Sequence, residues 1–129
     1  MGYRSDVALS LTLEALDKLP ELKDAVSAYL SNKDLELVMY EELLNFADYV
    51  NESTSPEGVP FITIGWSYIK WYDDYPVIAG INDLLTELRE TSPKSYHFIC
   101  IGEDFNDVTI EGELDDDLYV SRVIKKWEI

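Results

Sequence analysis

The sequence predicts an α+β domain, and three observations carry that prediction. Short stretches of alternating apolar residues open the chain and recur around residues 61–66. Two longer stretches, residues 13–30 and 77–88, space their apolar residues as helix faces do. A nearly unbroken apolar run, Tyr96 to Gly102, follows the second of these, as a strand covered on both faces would.

Taken in order, Val7, Leu9 and Leu11 alternate with Ala8, Ser10 and Thr12, which predicts a buried first strand. Thr12 is placed to cap the helix behind it. Leu13, Leu16 and Leu19 share one helical face. Leu22, Ala25, Val26, Tyr29 and Leu30 form another stripe at i, i+3, i+4, i+7 spacing. Pro20 lies between the two and either kinks one helix or starts a second. Residues 35–44 fit a helix by propensity and a strand by their apolar run. Asn45 to Val50 reads as a strand, and Asn51 to Gly58 as a turn or loop rich in Ser, Pro and Gly. In the next β-rich stretch Phe61, Thr63 and Gly65 face one side and Ile62, Ile64 and Trp66 the other, and the arrangement reads as a hairpin.

Asp73, Asp74 and Pro76 announce a helix whose apolar face is Val77, Ile78, Ile81, Leu84, Leu85 and Leu88. Ser92-Pro93 ends it. After the Tyr96–Gly102 strand, Val108 and Ile110 suggest another. Leu118, Val120, Arg122 and Ile124 suggest a last one, with Tyr119, Ser121 and Val123 on its other face. The order is β-α-β-β-α-β followed by a C-terminal β-hairpin. That is a ferredoxin-like pattern, with helices on one face of the sheet.

A length of 129 residues suits a single domain spanning 1–129. Hydrophobic residues make up 47% of the chain, enough for a real core. Nine tyrosines and three tryptophans place the acidity on a folded body, because an acidic disordered tail lacks such residues. Ten Lys and Arg oppose 26 Asp and Glu, for a formal charge of −16. Such a surface repels phosphate backbones and anionic membranes, so direct nucleic-acid or membrane binding is not expected. Fast association with a basic partner is. The one cysteine, Cys100, cannot form an internal disulfide, which fits a reducing cytoplasm. Asp6 and Glu14 interrupt any apolar signal-peptide region, and no stretch approaches a membrane span.

Catalytic chemistry finds no motif. His97 and Cys100 are the sole members of their types, and three residues apart on a strand they point to opposite faces. No G-x-S-x-G elbow and no Gly-rich phosphate loop is present. One His and one Cys do not make a zinc site. Glu103, Asp104, Asn106 and Asp107 form an oxygen-rich loop that Ca²⁺ would accept, but the spacing is not that of an EF-hand. The ordinary reading of that loop is a solvated turn. No catalytic residue, metal ligand or cofactor is therefore expected.

Two features point to a partner. Glu103, Asp104, Asp107, Glu111, Glu113, Asp115, Asp116 and Asp117 form a run of eight acids with no base. If residues 108–114 are one strand, Glu111 and Glu113 share a face at roughly 6.6 Å, close to the phosphate spacing of a nucleic-acid strand. The ordinary reading is an edge strand protected by charge. The functional one is a mimic that occupies the basic groove of a nucleic-acid-binding host protein. Trp66, Tyr68 and Trp71, with Tyr72 and Tyr75, crowd around Lys70. In a strand, Trp66 and Tyr68 share one face. Such residues pack beneath a helix or form a partner or homodimer surface. The alternative to an inhibitor is a non-catalytic, dimeric small-molecule- or Ca-binding module.

Three stretches carry a resemblance: MGYRSDVALSL, IKWYDDYPVIAGINDLLTEL, and FICIGEDFNDV with LYVSRVI. Together they resemble a set of small acidic bacteriophage and prophage proteins of mostly unassigned function. The resemblance spans most of the chain outside residues 31–60. It implies expression in the cytoplasm of a bacterial host and transfers no catalytic residue.

Overall fold

A computed structural model describes residues 3–34, 39–104 and 106–115. Its centre is β1 (Ser5–Thr12), buried along almost its whole length. Val7, Leu9 and Leu11 point into the main core, while Ala8 packs with Ile99 on the opposite side. Ser10 is also fully buried, and its hydroxyl shares a 2.8 Å hydrogen bond with that of Thr63.

Thr12 caps the next helix as expected. Its Oγ1 accepts the Ala15 N–H at 3.2 Å, satisfying one of the orphan donors of a first turn. Helix α1 (Leu13–Leu16) is short, and Pro20 starts a second helix, α2 (Pro20–Leu30), where its missing N–H costs nothing. Leu22, Ala25 and Val26 form the buried face of α2.

The ambiguous stretch contains α3 (Met39–Asn45), with Tyr40, Leu43 and Leu44 buried at i, i+3, i+4. Residues 35–38 lie outside the described residues. The strand expected at Asn45–Val50 is displaced: β2 is Tyr49–Thr54, and the helix still holds Asn45. Half of the expected loop is therefore strand. Asn51 and Glu52 pair with Thr63 and Ile62 at the sheet edge, where water receives their polar side chains. A tight turn then closes the hairpin. The Ser55 N–H donates to the Val59 carbonyl, and Gly58 supplies a positive φ of +87°.

Strand β3 (Pro60–Ile69) turns Ile62, Ile64 and Trp66 into the core, as the alternation predicted. Helix α4 (Pro76–Thr91) buries Ile78, Ile81, Leu84, Leu85 and Leu88. A 3-10 turn, Pro93–Ser95, leads into β4 (Tyr96–Gly102), and β5 (Val108–Gly112) returns beside it. The strand expected at 118–124 lies outside the described residues.

Among the described residues the sheet has five strands in the order β2-β3-β1-β4-β5, and every neighbouring pair is antiparallel. All four described helices share one buried cluster with one face of that sheet. Truncating a residue such as Leu9 or Ile81 there would cost about 2–5 kcal/mol. No helix among the described residues is long and apolar enough to cross a membrane.

Candidate functional site

At the Arg4 end of β1 two features meet: the acidic β4–β5 turn and a groove beside β3. The turn is tied down by the N-terminal segment. The Tyr3 hydroxyl donates to Asp107 Oδ2 at 2.7 Å and accepts the Asp104 N–H at 2.9 Å. The Arg4 N–H donates to Glu103 Oε1 at 2.8 Å. Within the turn, the Gly102 N–H donates to the Asp107 carbonyl and the Asn106 N–H to Asp104 Oδ1. A Cβ on Gly102 would overlap both the Tyr3 hydroxyl and the Asp107 carboxylate, so the close approach requires glycine. The Asp104 N–H pulls the Tyr3 phenol pKa down. The hydrogen bond to Asp107, desolvation, and the Asp107 and Asp104 charges outweigh it, and the phenol titrates above its usual value. Among the described residues no group of three or more His, Cys, Asp or Glu is placed to hold a metal ion.

The predicted acids do not form one row. Glu103, Asp104 and Asp107 stand at the β4–β5 turn, and Glu113 and Asp115 lie past the other end of β5. A five-residue strand, roughly 17 Å long, separates the two groups. The expected strand face shared by Glu111 and Glu113 is not formed. Gly112 takes φ +91° and ends β5, because a Cβ there would strike the Tyr96 carbonyl. Glu111 instead pairs opposite Phe98 and accepts from Arg89 Nε of α4 at 2.9 Å. Asp116 and Asp117 lie outside the described residues.

The aromatic cluster also divides. Trp66 is 2% exposed, and its indole N–H donates to the Leu43 carbonyl at 3.0 Å, tying β3 to α3. Trp71 lies against Trp66 and Phe98, with ring centroids 5.1 and 6.1 Å away. Both tryptophans serve the core. Tyr68 does not share a face with Trp66, and the reason is a β-bulge. Val7 pairs with Trp66 and Ser5 with Ile69, so β3 uses three steps where β1 uses two. Tyr68 takes φ +55°, donates its N–H to Asp6 Oδ1 at 2.8 Å, and leaves its ring 67% exposed. The Arg4 guanidinium lies 5.3 Å from the centre of that ring.

The bulge opens a groove of about 610 Å³. Met39 from α3, Phe46 just after it, Tyr68 from β3 and Tyr75 before α4 supply exposed apolar surface to it. Arg4, Lys70 and Glu42 supply charge. A wider depression of about 720 Å³ lies at the Thr12 end of β1, against the 3-10 turn. The sequence reading reached Tyr68, Tyr75 and Lys70 but not Met39, Phe46 or Arg4. Phe46 follows α3 just outside its i, i+3, i+4 set, so its spacing carried no signal, and its 63% exposure emerges only in the structure.

His97 is buried on the Ala8 side of β4, while Cys100 packs against the main core on the other. Burial pushes the Cys100 thiol pKa up, the reverse of what a nucleophile needs. Compared with known proteins, the chain matches no family model, no curated protein and no solved structure.

Proposed function

We propose that this chain is a non-catalytic interaction protein that engages a basic partner through its acidic surface. The observation that carries the reading is the tethered β4–β5 turn. Three exposed carboxylates, Glu103, Asp104 and Asp107, are presented there on a loop held by Tyr3 and the Arg4 backbone. A pre-organised charge cluster loses less freedom on binding than a mobile one. Most other acids among the described residues are exposed as well, and Asp17, Glu87 and Glu111 form ion pairs there. The field around the molecule would steer a basic partner and fall with salt.

The resemblance to phage and prophage proteins supports a partner in a bacterial host cytoplasm, where inhibition of a nucleic-acid-binding protein would be the fitting outcome. Mimicry would then use the two acid groups at the ends of β5 rather than a single strand row. We read the fold as ferredoxin-like with one strand added at the β4 edge. In support, β3 sits between β1 and β2, as a split β-α-β unit requires. The test is capture from a nuclease-treated bacterial lysate with elution by rising salt. A single basic nucleic-acid-binding protein released by salt is the expected result. Partners that resist high salt would end the electrostatic reading.

A second reading, a non-catalytic small-molecule-binding module, is favoured by one observation: the apolar groove beside the β3 bulge.

A further inference from the structure

We propose that this groove is a binding site for a small aromatic monocarboxylate, an inference that rests on the second reading above. Its volume of about 610 Å³ lies within the usual range of small-molecule sites, about 300–1,000 Å³. Nine large apolar side chains are exposed among the described residues, and four of them, Met39, Phe46, Tyr68 and Tyr75, line this one groove. Scattered exposed apolar residues need no explanation, but a concentration does. The phenyl and phenol rings offer faces and edges to an aromatic ligand.

The backbone is also shaped here. Three non-glycine residues take positive φ among the described residues, and two of them, Met39 and Tyr68, border the groove. Asp6 holds the Tyr68 bulge in place by accepting its N–H. Strained backbone maintained by a dedicated hydrogen bond is characteristic of ligand sites.

Charge selects the ligand. Lys18, Lys23 and Arg89 are each paired with a carboxylate of the same surface. Arg4 and Lys70 form no ion pair among the described residues, as Lys33 and Lys94 do not, but these two stand together in one apolar groove. Against them the described lining holds one acid, Glu42, and the nearby Asp6 carboxylate is engaged by the Tyr68 N–H, so the two cations are the charges available to a ligand carboxylate. A cationic ligand is disfavoured because the Arg4 guanidinium already lies over the Tyr68 ring. An acidic protein or nucleic acid is disfavoured by the charge of −16 on the whole chain. A lone carboxylate is not, since screening over about 8 Å leaves it under the influence of the two local cations.

The experiment is an amide NMR titration of the full chain with three matched probes: 2-naphthylacetate, its neutral amide, and 2-naphthylmethylamine. The carboxylate should move the resonances of Phe46, Tyr68 and Lys70 and bind roughly tenfold more tightly than the amide. In Lys70→Gln and Arg4→Gln, each first shown to keep the wild-type spectrum, the carboxylate should bind no better than the amide. If carboxylate and amide bind the groove equally, or the amine binds best, the ligand class is overturned while the groove remains a small-molecule site. If none of the three moves a groove resonance, the inference and the reading beneath it both fall.

Discussion

Tyr68 holds an aromatic side chain on left-handed backbone, which costs an L-residue roughly 1–2 kcal/mol. Its ring is mostly exposed, so glycine would forfeit little burial while relieving the strain. Glycine would also add roughly 0.5–1 kcal/mol of unfolded-state entropy. Tyr68→Gly is therefore expected to leave stability unchanged or raise it by up to about 1 kcal/mol. Tyr68→Val should lower it by about 1 kcal/mol or more, since a β-branched residue tolerates this φ worst. Urea denaturation of both variants checks the pair. Three phenols titrate above their usual value: Tyr3, for the reasons above; Tyr40, through burial and then the Glu21 and Asp83 charges; and Tyr96, through burial first, with Arg89 opposing. A phenol pKa raised in the folded state contributes stability that is complete below the unfolded value near 10 and is lost as pH rises through the folded one. The Cys100 thiol, raised by burial, acts in the same sense from a lower starting value, so unfolding free energy should begin to fall gently above about pH 8.5 and more steeply above about pH 10. A flat profile to higher pH would contradict the environments assigned to these tyrosines.

At the scale of elements, legibility followed burial. Helix α4 was read correctly because five buried residues repeat at helical spacing over about three turns, a pattern that strand alternation cannot satisfy. Strand β1 was read correctly because Thr12 and the Val7–Leu11 alternation point to the same boundary. Strand β2 was misplaced because it is an edge strand. Its Asn51, Glu52 and Ser53 look like loop composition, and only the pairing with β3 makes them strand. The β3 bulge left no mark in Ser67-Tyr68-Ile69, because the extra residue is specified by Asp6, more than sixty positions away. Strand β5 ends for a local reason that is testable. Gly112→Ala would place a Cβ against the Tyr96 carbonyl at φ +91°. A loss of about 1–2 kcal/mol or more is expected, with hydrogen exchange at β5 amides faster than in the unmutated protein while β1 amides keep their rates. Unchanged exchange at β5 amides in that variant would show that Gly112 is not what shapes the end of β5.

Across the whole molecule, the acidity was legible from composition, but its distribution was not. Sequence order suggested one run from Glu103 to Asp117, and the hairpin folds the described part of it into two groups with Glu111 turned towards α4. The groove was hidden for a similar reason: Arg4, Phe46 and Tyr68 converge only through the sheet register and the bulge. The central claim is that the β4–β5 edge meets a basic partner. The direct measurement compares two doubly reversed proteins by salt-dependent capture of that partner, Glu103→Lys/Glu113→Lys, one acid from each end of β5, and Glu52→Lys/Glu57→Lys at the opposite edge of the sheet. Both change net charge equally, so they separate a located surface from a diffuse field. The account predicts that the first pair weakens capture at least tenfold and flattens its salt dependence, while the second changes it about twofold or less. Equal effects from the two pairs would contradict a partner surface at this edge and leave the acidity as a property of the whole surface.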